Sequence, residues 1–335
     1  MRWSAHEALK GILRGMEEKE EDGRRRGGLL EGLDSLPMSI GLAQSTKQLE
    51  INVHSLAKRG SISGFREAMF FDPFCIHERK MRTRETPLHI AIEFGQRDMI
   101  DFLLESGADV SAKTVQGITA LHIAANKGDI ATAAVIISAY IAKEKEEAEM
   151  EDNISVESNE SVGKSRRRPI LNNAVAEVKP DMEIPDKWIV SCKLINEFYD
   201  KDWMTALHYA CIAGHAPMVD FLIQDHGALP GMRTKSVGDD CLQLASFYGN
   251  LEVVEYLLSM KSRVALNIYV TNRNIHGNTC LHRACERGHA AVARFLQKKG
   301  ANLLIKNDSD VTCIDLAAPE TIKGLTPIVE KKKKN

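Results

Sequence analysis

The sequence predicts an all-α solenoid of stacked helix pairs, and two observations carry that prediction. TPLHIAIEFG (Thr86 to Gly95), TALHIAANKG (Thr119 to Gly128), TALHYACIAG (Thr205 to Gly214) and TCLHRACERG (Thr279 to Gly288) are one motif written four times, with Thr86 and Thr119 33 residues apart. After each copy comes a second apolar stripe: Met99, Ile100, Leu103 and Leu104; Val135, Ile136 and Ile137; Met218, Val219, Leu222 and Ile223; Val292, Phe295 and Leu296. Two short helices per period, each apolar on one side only, cannot bury those sides alone and must stack on their neighbours.

From the N-terminus, residues 1–48 hold a short amphipathic stretch, Trp3 to Met16, and then a charged, Gly-rich run; they are read as mobile. A membrane-surface helix there is weakened by Glu7 and by the acidic run Glu17 to Asp22. HSLAKRG (His54 to Gly60) is a decayed first repeat, with Phe65, Ala68 and Met69 as its second stripe. DCLQLASFYG (Asp240 to Gly249) keeps Leu242, Ala245 and Gly249 but puts Asp240 at the Thr place and Gln243 at the His place. TCIDLA, 33 residues after Thr279, reads as a truncated last repeat. Degenerate ends suit a solenoid, whose terminal repeats show one face to water. The expected division is residues 1–48 as a mobile segment, 49–142 as repeats one to three, 143–198 as an insertion, 199–322 as repeats four to seven, and 323–335 as a basic tail.

The insertion follows from spacing, because Thr119 and Thr205 are 86 residues apart. KEKEEAEMED (Lys143 to Asp152) is expected to extend the preceding helix, with Lys143 and Glu147 paired at helical spacing. The polar stretch Asn153 to Asp186 is expected to be loosely held, and Trp188 to Tyr199 is apolar enough to dock back. KSRRRP (Lys164 to Pro169) reads as a solvated linker ahead of an import signal or a kinase-accessible Ser165, and Lys331 to Lys334 as a solvated end ahead of a contact for anionic lipid, acidic protein or nucleic acid.

The motif resembles the ankyrin repeat family, because several determinants recur in register. Gly95, Gly128, Gly214, Gly249 and Gly288 fall where a first helix ends, and SGADV (Ser106 to Val110) and KGANL (Lys299 to Leu303) repeat the second helix terminus. The resemblance implies an ankyrin solenoid of about seven repeats, two of them caps, each a helix-turn-helix with a hairpin loop. It also implies that Thr86, Thr119, Thr205 and Thr279 cap first helices, and that His89, His122, His208 and His282 brace neighbouring loops.

Chemistry beyond binding finds no footing. One histidine per repeat puts the imidazoles roughly 10 Å apart, too far to share a metal; neither metal nor cofactor is expected. Of the seven cysteines, Cys241, Cys280 and Cys313 stand on consecutive repeats at the same spacing, with Cys211 and Cys285 two repeats apart. No disulfide is expected, which points to a reducing compartment, cytoplasmic with nuclear entry open to it. There is no phosphate loop, HExxH, GxSxG or kinase signature, so no enzyme is expected. A net charge of -2 exerts no general pull on nucleic acid, and no apolar run approaches a membrane span.

Binding another protein remains, with no small-molecule substrate. The resemblance implies a concave face of hairpin tips and first-helix ends, and by register the partner contacts are Phe94, Lys127, Trp203, Met204, Phe247, Tyr248, His276 and Arg287. Trp203 stands where other repeats have Gly117, Gly238 and Gly277. Aromatics beside an arginine are interface-anchor chemistry; Trp203, Phe247, Tyr248 and Arg287 are expected to form one patch, rimmed by Asp202, Asp239 and Glu286, unless Trp188 to Tyr199 covers it. The reading is a non-enzymatic adaptor or scaffold. Its alternative is a structural or regulatory subunit anchored to membrane or nucleus through basic terminal segments.

Overall fold

The computed structural model describes residues 52–157, 193–260, 269–319, 321 and 325. Each motif copy there is a first helix and each stripe a second: α1 (Val53–Arg59) with α2 (Ile62–Phe71), α3 (Pro87–Glu93) with α4 (Arg97–Glu105), and α5 (Ala120–Lys127) with α6 (Ile130–Glu157). Then come α7 (Ala206–Ala213) with α8 (Ala216–Asp220), α9 (Cys241–Tyr248) with α10 (Leu251–Ser259), α11 (Cys280–Glu286) with α12 (Ala290–Lys298), and α13 (Cys313–Leu316), which opens a seventh unit. First helices stack on first helices in one layer and pack on the second helices of a second layer. They can approach closely because Ala91, Ala124, Ala210, Ala245 and Ala284, all fully buried, present only a methyl group. The motif leucines Leu88, Leu121, Leu207, Leu242 and Leu281 are buried as well, each contributing about 1.5–3 kcal/mol.

The polar motif residues explain how one repeat fixes the next. Thr86, Thr119, Thr205 and Thr279 are N-caps in reciprocal boxes with the histidine three residues on. The Thr205 N–H donates to His208 Nδ1 at 3.0 Å, so Nε2 carries the ring proton and donates to Met232 O, also at 3.0 Å. His89 reaches Ile118 O, His122 reaches Met204 O and His282 reaches Val311 O in the same way. In the divergent fifth repeat Gln243 does both jobs: its Oε1 accepts from the Asp240 N–H and its Nε2 donates to Asn272 O and Asn278 O. The ends divide the work. Asn52 caps α1 while His54 ties forward to Glu85 O, and in the last described repeat the acceptor-only Asp315 receives the Thr312 N–H.

A second ladder, which the motif alone does not advertise, closes the other end of the first helices. The residue after each motif glycine donates backward to the last carbonyls of the preceding first helix: Gln96 to Lys58 O, His215 to Asn126 O, Asn250 to Cys211 O and Ile212 O, His289 to Phe247 O. Gly249 explains itself here, since its φ is +80° and a Cβ would stand 2.5 Å from the His289 ring. In the third repeat Asp129 occupies the donor's place and cannot donate, and the Lys127 ammonium takes over, donating to Ile92 O and Glu93 O.

Two expectations need correction. Val135 is not part of the buried stripe, since it is 39% exposed; Ala133, Ile136, Ile137 and Tyr140, at helical spacing, are the buried side. The loosely held polar stretch does not begin at Asn153, because α6 runs unbroken to Glu157, and its expected helical pair, Lys143 and Glu147, is 3.9 Å apart. The motif register did not single out two cysteine contacts: Cys241 lies against Cys211, and Cys285 against Cys313, each pair on neighbouring first helices. Burial, with Cys211 against it, holds Cys241 protonated. The six described cysteines are free thiols, and Cys192, like residues 158–186 and the Lys331 to Lys334 tail, lies outside the described residues.

Candidate partner-binding surface

Six hairpin turns precede the motif threonines, and backbone hydrogen bonds join them edge to edge: Val115 N–H to Thr83 O, Lys201 to Gln116 O, Lys235 to Asp202 O, Ile275 to Val237 O and Asp308 to His276 O. Every turn places the residue two before the motif Thr in the left-handed region. Gly117, Gly238 and Gly277 occupy it at φ +88°, +70° and +73°, whereas Arg84, Trp203 and Asp310 occupy it at +57°, +59° and +60°. A left-handed backbone costs a bulky L-residue roughly 1–2 kcal/mol. Trp203 is therefore strained as well as out of pattern.

At the far ends of the first helices lies a second group. Phe247 carries the Arg283 guanidinium 4.0 Å from its centroid and that of Arg287 at 4.3 Å, and the Tyr248 ring meets it edge-on at 5.3 Å. Arg283 is buried. Its Nη2 donates to Asp239 at 2.5 Å and its Nη1 to Glu286 at 2.8 Å, leaving Nε as a buried donor without a partner. Asp239, 1% exposed, also accepts from Asn274 at 2.8 Å.

The expected contact residues fall into three classes. Tyr248, Trp203 and Phe94 are 49%, 50% and 45% exposed, with Lys58 over the Phe94 ring, and Arg287 and His276 are exposed. Phe247 and Met204 are half-buried. Lys127 is committed to the carbonyls of α3. The expected rim is corrected too: Asp239 is the buried counter-ion of Arg283, and Asp202 accepts from the N–H and hydroxyl of Ser236, so only Glu286 is exposed as a rim residue would be. The single patch divides into two groups, because Trp203 stands at a hairpin tip and Tyr248 at the end of an eight-residue helix, a length of about 12 Å. The described part of the docking segment does not cover them. Leu194 and Ile195 are buried, Asn196 bridges Gly227 and Leu229, and Phe198 packs on Tyr140.

Sequence reasoning missed an apolar group on the first repeat, where Phe70, Phe71, Phe74 and Met81 are 68–100% exposed. The signal was the run MFFDPF after the second stripe of a capping repeat. Among the described residues no helix is long and apolar enough to cross a membrane, and no three His, Cys, Asp or Glu side chains cluster as metal ligands would. The histidine row is held neutral: burial pushes His122 and His208 down to about 4 and lowers His89 and His282.

Comparison with known proteins agrees with this geometry. The family model described as ankyrin repeats matches three times, over residues 53–147, 186–268 and 230–307. The human transient receptor potential cation channel subfamily A member 1 is 28% identical over 222 residues, 66% of this chain and 18% of the channel. The Drosophila melanogaster ARF GTPase-activating protein Git is 32% identical over 119 residues, 36% of this chain and 14% of that protein. The chain thus spans less than a fifth of either relative. Among solved structures, the ankyrin repeat domain of human ASB11 aligns over 82% of this chain and 96% of its own, with a TM-score of 0.54 at 19% identity, a likeness of fold.

Proposed function

The chain belongs to the ankyrin repeat family, whose repeats generally mediate protein–protein interaction, and on that premise we propose that it is a non-enzymatic adaptor or scaffold holding another protein on the concave face of its stack. The observation that carries this is the first-helix end at Phe247, Tyr248 and Arg287. Two rings and a guanidinium are ordered against each other there, yet Tyr248 and Arg287 remain exposed and contribute little to the core. Such aromatic and arginine pairs anchor interfaces once a partner excludes water from them. Phe94, His276, Met204 and Trp203 extend the proposed contact along the stack. The free thiols suit a reducing cytoplasm or nucleus. Ankyrin domains are typically non-enzymatic, and the proposal assigns this chain no substrate and no cofactor.

Affinity capture from cells tests it. Tyr248→Ala and Arg287→Ala should keep near-wild-type melting while each loses about 2 kcal/mol of binding, roughly thirtyfold in affinity. Retained capture by both, with folding intact, would move the function to another face.

A further inference from the structure

We propose that the hairpin edge from Arg84 to Lys235 receives an extended acidic segment of the partner, with Trp203 as its anchor; this rests on the concave-face reading and specifies its chemistry. The first support is charge. The acids of the Trp203 hairpin are used internally: Asp200 accepts from the N–H groups of Asp202 and Met204 and from the Tyr209 hydroxyl, and Asp202 accepts twice from Ser236. The bases are not. Lys201, Lys235, Arg82 and Arg84 are exposed, and among the described residues none of them pairs with a carboxylate. Asp200 and Asp202 keep their charge, but the four bases outnumber them, so the edge carries an excess of positive charge on a chain whose net charge is -2.

The second support is strain. Glycine satisfies the left-handed turn position in three of the six hairpins, but another holds Trp203 there, with Lys235 Nζ 5.8 Å from its ring and half of its surface exposed. A ring kept where folding disfavours it, outside the core, points to a binding role. Arg84 breaks the same rule two hairpins earlier and Asp310 breaks it in the last hairpin, so within the row from Arg84 to Lys235 the two exceptions are a cation and an aromatic ring.

Spacing then sets the ligand. The hairpins of Arg84 and Lys235 are three repeats apart, about 30 Å at roughly 10 Å per repeat, which an extended chain spans in about nine residues. Acidic side chains towards its two ends would meet Arg82 and Arg84 at one end and Lys201 and Lys235 at the other, since the hairpin between them, Thr114 to Ile118, carries no base. A nucleic acid fits less well, because the overall charge lacks the broad positive field of such binders.

Panning a random twelve-residue peptide display library on the full chain tests this. Enriched peptides should be acidic, bind more tightly at low salt, and lose at least tenfold in affinity with Trp203→Ala and with Lys201→Glu/Lys235→Glu, while the charge variant melts as wild type does. Trp203→Gly should melt above Trp203→Ala, reversing the usual order; the usual order would overturn the strain argument. Neutral peptides displaced by Tyr248→Ala would overturn the acidic ligand and leave the concave face standing, whereas peptides indifferent to every variant would overturn both. No enrichment, or preferential capture of a single-stranded DNA 20-mer, would also overturn the proposal.

Discussion

Asp239→Ala is expected to destabilise the protein by about 3–5 kcal/mol, the cost of removing one partner from a buried ion pair. The carboxylate is 1% exposed and accepts from Arg283 and Asn274, which come from the next repeat and its hairpin. Without it the buried guanidinium keeps only Glu286, whose side chain is 40% exposed. The loss comes from the stranded charge rather than from the missing bond. Adding Arg283→Met should therefore recover most of it, since methionine fills the space over Phe247 without a charge to solvate. Urea denaturation of the single and double variants checks this; a double variant as unstable as Asp239→Ala would show that the pair is not the source.

Acid should unfold the stack through its histidines. His122 and His208 titrate at about 4 in the fold because burial excludes the charged ring, against about 6.5 in an unfolded chain. Below pH 6.5 the unfolded chain takes up protons that the native state refuses. Stability is thus fully present at neutral pH and is lost as pH falls from about 6.5 towards 4, by about 3 kcal/mol per histidine at most. Asp129 acts lower: burial would raise it, but the hydrogen bonds from Thr132 outweigh that, so its contribution fades only in stronger acid. Gln243 supplies the control, for it makes the same two kinds of bond without titrating. His122→Gln/His208→Gln should fold at pH 7 and flatten the stability curve between pH 6.5 and 4. An unchanged slope would place the acid sensitivity elsewhere.

The repeat count and helix pairing were legible because they depend on recurrence: Thr, Leu, His and Ala at fixed offsets, closed by a glycine. What escaped was pairwise. Nothing in the sequence order says that Cys285 meets Cys313, or that Lys127 must supply the donor which Asp129 cannot, because both follow from the stagger between adjacent repeats. Asp239 looked like a surface acid because it sits in a hairpin, and only Arg283, 44 residues on, shows why it is buried. Trp203 was visible as an exception to glycine, but its strain required the backbone angle. Phe70 and Phe71 followed the apolar rule of a second helix and broke it in the first described repeat, where no described helix covers them.

The most direct test of the account is a cross-linking and oxidative-footprinting map of the chain with its captured partner. Protection should fall on Trp203, Tyr248 and the lysines Lys201 and Lys235, with the second-helix layer of α4, α10 and α12 unchanged. Protection confined to Phe70, Phe71, Phe74 and Met81, or to that second layer, would contradict it.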